Sequence, residues 1–207
     1  MFEDLLAIAH LMEQEEDGYF WLMHTGWDSG TITLSLDILT ARYPDIHPHW
    51  QVTCSGVRDH SLSLGLGEEL RWSDDHVLLW AHTKRKLSLY FSGTGEDSDT
   101  VIGALYSQHE QLTKGWIPFQ RFLNPNMDLT KLIKGGSGML AEGPQPLMLA
   151  YEDVLQKFGF VASHVDAGEP AYWNGETWRE EREKVSALIV DKSYIVAEKF
   201  AAVKVQP

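Results

Sequence analysis

The sequence predicts an α+β fold, with a mainly antiparallel sheet from N- and C-terminal strands packed with about three to four helices, in one domain over residues 1–207. Three observations carry that expectation. Apolar residues recur at helical spacing near the N-terminus and through a central segment of about 98–158. Runs of strand-type composition lie on both sides of that segment. Helices and strands are thus grouped rather than alternated, as a parallel sheet would require.

Leu5, Ile8, Ala9 and Met12 stand at i, i+3, i+4 and i+7, which gives an amphipathic helix ending near Gly18. Strands are expected next at 19–24, 31–36, 49–55, 60–64, 77–82 and 86–92, all in one antiparallel sheet. In the last run Leu87, Leu89 and Phe91 share one face and Ser88, Tyr90 and Ser92 the other, and Thr83-Lys84-Arg85 is short enough to make a hairpin before it. Ser98 or Asp99 is expected to cap a helix whose inner face is Val101, Ile102, Leu105, His109 and Leu112, with Gly115 just beyond it. Asp128 opens a short helix that Gly135 stops. After a Gly/Pro-rich connection, 147–158 reads as another helix, closed by Phe158-Gly159-Phe160. Strands at 160–165, 185–190 and 194–203 finish the chain and are expected to join the N-terminal sheet.

Charge is distributed unevenly. The first basic residue is Arg42, and Glu3, Asp4, Glu13, Glu15, Glu16, Asp17, Asp28 and Asp37 all precede it, so most of the net charge of -13 sits in the first fifth of the chain. Such a field repels nucleic acid and anionic lipid and steers basic proteins, cationic ligands or metal ions. Glu13, Glu15, Glu16 and Asp17 fall at the C-terminal end of the first helix, where the macrodipole is already negative, so helix energetics do not explain them. A solvated, solubilising helix end is the default explanation; the sharper ones are a docking patch for a basic partner and pairing with Lys114, Arg121, Lys131 and Lys134. A second acidic tract, 166–183, includes Glu176 and Glu180 together with Tyr172, Trp173 and Trp178. Aromatic faces flanked by carboxylates form a receptor for a cation, and Trp and Tyr are favoured interface anchors.

Catalytic motifs fail on spacing or context. Gly136-Ser137-Gly138-Met139-Leu140-Ala141 matches a dinucleotide fingerprint in letters, but a short helix leads into it and prolines follow, so both it and the 93–99 loop read as turns. His47 and His49 share one side of an extended segment, and His60, His76 or His82 could join them; surface or hydrogen-bonded histidines are the default, and no metal or other cofactor is assigned. His109-Glu110 lacks the second histidine of a zincin helix. Cys54 follows Trp50 and Val52 at two-residue spacing, which points it into the apolar face. Glu68-Glu69 and Asp74-Asp75 are adjacent and would face opposite ways in a strand.

A single cysteine, the absence of Asn-x-Ser/Thr acceptors, acids where a secretory signal needs bases, and no apolar stretch of roughly 18 residues lead to the expectation of a cytoplasmic protein. The expected function is binding or regulation through acidic, aromatic-containing surface that engages a basic protein or cationic ligand, using Glu13, Glu15, Glu16, Asp17, Tyr172, Trp173, Glu176, Trp178 and Glu180. The first alternative is a small-molecule binder or enzyme with a pocket between sheet and helices, lined by some of Trp21, Trp27, Trp50, Trp72, Trp80 and Trp116. The second is a homo-oligomeric structural protein whose aromatics bury one another.

Overall fold

The computed structural model describes residues 2–15, 18–28, 30–40, 48–94, 97–181 and 184–205. The architecture is α+β, with a seven-stranded antiparallel sheet from N- and C-terminal strands and, among the described residues, five α-helices. The chain divides into two compact units, one from Met1–Leu79 and Arg182–Pro207, the other from Trp80–Glu181. The first begins with α1 (Phe2–Glu15), β1 (Tyr19–Asp28), β2 (Thr31–Leu39), β3 (His49–Ser61), β4 (Gly65–Gly67) and β5 (Leu70–Ser73). The second holds α2 (Trp80–Thr83), β6 (Lys86–Ser92), α3 (Ser98–Thr113), α4 (Leu129–Gly135), β7 (Ser137–Pro144), α5 (Gln145–Lys157), β8 (Val161–Gly168), β9 (Ala171–Trp173) and β10 (Trp178–Glu180). The chain returns to the first unit with β11 (Ser186–Val190) and β12 (Ser193–Val205).

In the first unit the strand order is β4-β1-β2-β3-β12-β11-β5, antiparallel at every pairing. The edge strands β4 and β5 are separated in sequence only by Glu68 and Glu69, so the sheet has to curl until its two edges approach each other. Strict alternation on β2 buries Ile32, Leu34, Leu36 and Ile38, and the inner face continues with Phe20, Leu22, Trp50, Val52 and Cys54. Leu5, Ala9 and Met12 of α1 complete that core, which is why the helix needs an apolar stripe on one side only. Gly18 leads into β1 at φ +117, and a Cβ there would lie 2.8 Å from the Leu39 carbonyl oxygen. β12 sits between β3 and β11, joining the N-terminal sheet as expected.

A bulge interrupts β3 where Asp59 pairs Val196 but Val57 pairs Ala197, leaving Arg58 as the extra residue. Its guanidinium, 4% exposed, donates to the Gly56 carbonyl at 3.0 Å and pairs with Glu198. Gly56 turns the strand at φ +66 beside that carboxylate.

In the second unit β7-β6-β8 form a three-stranded antiparallel sheet, and α3 and α5 supply the rest of its core around Leu105, Leu147, Met148 and Leu155. β6, and β8 from the 160–165 run, therefore belong to a sheet separate from the N-terminal one, contrary to expectation. The 77–82 run is not a strand either: Val77–Leu79 is a 3-10 turn, with the Leu79 amide donating to the His76 carbonyl at 2.9 Å, and it passes into α2. Thr83-Lys84-Arg85 consequently joins a helix to β6 and makes no hairpin. The 60–64 run is not a strand of its own, because β3 continues through Ser61. Asp97, not Ser98 or Asp99, caps α3 by accepting from the Thr100 amide at 3.3 Å, while Ser98 is already helical and buried. Asp128 caps α4 as expected, accepting from the Lys131 amide at 3.0 Å. The segment after Gly136 is a strand, β7, rather than a turn; its partner β6 supplies the ladder that local sequence cannot show, and Pro144 passes directly into α5.

Candidate functional site

The acidic residues at the end of α1 lie on the surface where they are described. Glu13 is exposed, faces His10 at 3.8 Å, and is not paired with a lysine or arginine among the described residues; Glu15 is the last residue of α1. Glu16 and Asp17 lie outside the described residues.

The second acidic tract is mostly ordered strand. β8 extends to Gly168, and 171–180 folds into the β9–β10 hairpin, which the sequence does not signal as strand because each arm is three residues long. Its turn is fixed locally: the Asn174 side-chain oxygen accepts from the amides of Glu176 (3.0 Å) and Thr177 (2.8 Å), and Gly175 takes φ +101. The register pairs Trp173 with Trp178, Tyr172 with Arg179 and Ala171 with Glu180. Alternation then places Trp173, Trp178 and Glu180 on one face and Tyr172 with Arg179 on the other. The two indoles meet at 6.0 Å between ring centroids and 64° between planes, yet remain 54% and 67% exposed. Glu176, in the turn, is exposed as well.

Two further carboxylates of this tract share one arginine. Arg85 holds Asp166 through Nε at 2.9 Å and Nη2 at 2.5 Å, and its Nε lies 3.6 Å from Glu169.

Neither a family model, nor a curated protein, nor a solved structure matches this chain.

The histidines find separate partners. His49 Nδ1 is 2.7 Å from Asp37 Oδ1 across the β2–β3 pair, His60 packs on Trp27 with ring centroids 5.1 Å apart, and His47 lies outside the described residues. No group of three or more His, Cys, Asp or Glu among the described residues is arranged to hold a metal ion. Cys54 is fully buried, and loss of hydration pushes its thiol up to about 12, so the thiolate is scarce. His109 is buried too, but both ring nitrogens are engaged, by the Ile117 carbonyl at 2.6 Å and the Tyr151 hydroxyl at 2.7 Å.

A cavity of about 870 Å³ lies within the second unit, among α3, the 119–130 connection and α4. None of Trp21, Trp27, Trp50, Trp72, Trp80 and Trp116 lines this cavity; Trp50 is core, while Trp21, Trp27 and Trp72 are exposed strand residues of the first unit. The cavity floor is Phe119, Leu132 and Leu140, and its exposed rim carries Asp99, Tyr106, Met127 and Asp128. Sequence reading misses it because Asp128 is legible only as a cap, and Tyr106 and Met127 lie off the inner faces. The one available signal is that two large apolar residues stand where the helical pattern needs none.

Proposed function

We propose that this is a binding or regulatory protein whose β9–β10 hairpin grips a basic segment of a partner protein. The observation that carries the reading is the single hairpin face holding Trp173, Trp178 and Glu180, with Arg179 turned to the opposite face. A cation placed there meets two indole faces and a carboxylate, while the hairpin's own cation does not compete for the spot. A two-stranded hairpin is marginal alone in water, and exposed indoles are costly to leave wet, so covering them is favourable. The exposed carboxylate of Glu176, in the turn of the same hairpin, adds to the field that guides a basic partner. The same charge supports excluding nucleic acid and anionic membrane as partners, and no helix among the described residues is long and apolar enough to cross a membrane. A buried, unpaired Cys54 is in keeping with a cytoplasmic setting.

Titration with a Lys/Arg-rich peptide, followed by indole fluorescence, tests the proposal. Binding is expected to weaken sharply as salt rises past about 0.1 M, where screening sets in near 10 Å, and to vanish in the Trp173→Ala/Trp178→Ala variant. Affinity that ignores salt, or that survives in the double variant, overturns it.

A further inference from the structure

We infer that the cavity of the second unit binds a small organic cation with an apolar body, such as an arylalkyl ammonium. Its volume of about 870 Å³ falls within the range that encloses a drug-sized molecule, roughly 300–1,000 Å³. The floor of Phe119, Leu132 and Leu140 is buried and apolar, which fits the hydrocarbon part of a ligand. Charge complementarity decides the sign of the head group. The charged residues among those lining the cavity are Asp99 and Asp128, and no lysine or arginine pairs with either among the described residues. Asp128 uses one oxygen, Oδ1, for its helix cap, so its charge is not consumed by another ion. Tyr106 and Phe119, edge-to-face at 5.5 Å and 89°, add π-surface that favours a cation over a neutral or anionic group. Asn124 stiffens the wall by donating to the Met139 carbonyl at 3.0 Å and accepting from the Asn126 amide at 3.0 Å. None of these residues belongs to the β9–β10 hairpin, so this inference and the proposed function stand or fall separately.

The test is calorimetric titration of the full chain with three matched probes, 4-phenylbutylammonium, 4-phenylbutanol and 4-phenylbutanoate. The ammonium is expected to bind most tightly and the carboxylate least. Asp99→Asn with Asp128→Asn is expected to weaken the ammonium at least about fivefold and leave the alcohol unchanged; Asn retains the cap at 128 and thus the fold. Gly103 lines the cavity on α3, and a Cβ there meets nothing within 4 Å, so the side chain added by Gly103→Leu starts into open space, occupies part of the cavity and strengthens the helix. That variant is expected to lose all three probes while melting no lower than the parent. Absence of binding by every probe, equal affinity for ammonium and carboxylate, or full binding by Gly103→Leu would each overturn the inference.

Discussion

The Tyr151 hydroxyl donates to His109 Nδ1 at 2.7 Å, while His109 Nε2–H donates to the Ile117 carbonyl at 2.6 Å, and both side chains are fully buried. A carbonyl can only accept, so Nε2 carries the ring proton and Nδ1 accepts the hydrogen bond from the tyrosine hydroxyl. The pair ties α5 to α3 and to the connection after it.

Tyr151→Phe removes that donor and strands Nδ1 in an apolar core. A loss of about 1–3 kcal/mol is expected in urea unfolding of the variant. A loss under a few tenths would show that water reaches the imidazole.

Trp173→Ala and Trp178→Ala remove exposed rings, so each is expected to cost less than about 1 kcal/mol in global stability, against the 3–5 of a buried aromatic. Thermal melts of the single variants check this. A large drop would mean the indoles support the fold rather than a partner.

Alkaline stability follows from Cys54 and Tyr151. Burial raises the thiol from 9.0 to about 12, and burial with the Glu110 charge raises the Tyr151 hydroxyl above its usual 10.0. The unfolded chain sheds these protons first, so stability contributed by the neutral groups is complete below about pH 9 and declines as pH rises from there. Cys54→Ala is expected to flatten the first part of that decline, between pH 9 and about 11, in denaturant midpoints measured against pH.

Gly56→Ala places a Cβ 2.5 Å from the Glu198 side-chain carbon at φ +66. Strain of roughly 1–2 kcal/mol is expected, read as a lower denaturant midpoint with an unchanged slope.

Replacing Glu13 and Glu15 by glutamine relieves like charge at the negative end of α1. A gain of a few tenths of a kcal/mol per site, or no change, is expected in thermal melts at low salt. A clear loss would reveal that the fold depends on these acids.

Period and caps made the α+β class, α1, α3, α4, α5 and the long strands legible in the sequence, because Leu5 to Met12 and Ile32 to Ile38 announce their own partners by spacing. Elements whose identity depends on a distant partner were not legible. β7 is Gly-rich and becomes a strand because β6 pairs with it, and β4, β5, β9 and β10 are too short to carry a pattern. The 77–82 run has strand-type residues but folds as a 3-10 turn leading into α2. For the binding surfaces, composition indicated Trp173 and Trp178, but only the register shows that they share a face with Glu180; the cavity, built from residues of α3, α4 and their connection, has no linear signature.

The division of the chain also sets an order of assembly. Residues 80–181 are continuous and can collapse as soon as they leave the ribosome, whereas β3 must wait for β12, more than a hundred residues further along, before its open side is covered. During synthesis that bare edge is a template for wrong pairing, and the part of the protein translated first is the last to become safe from aggregation.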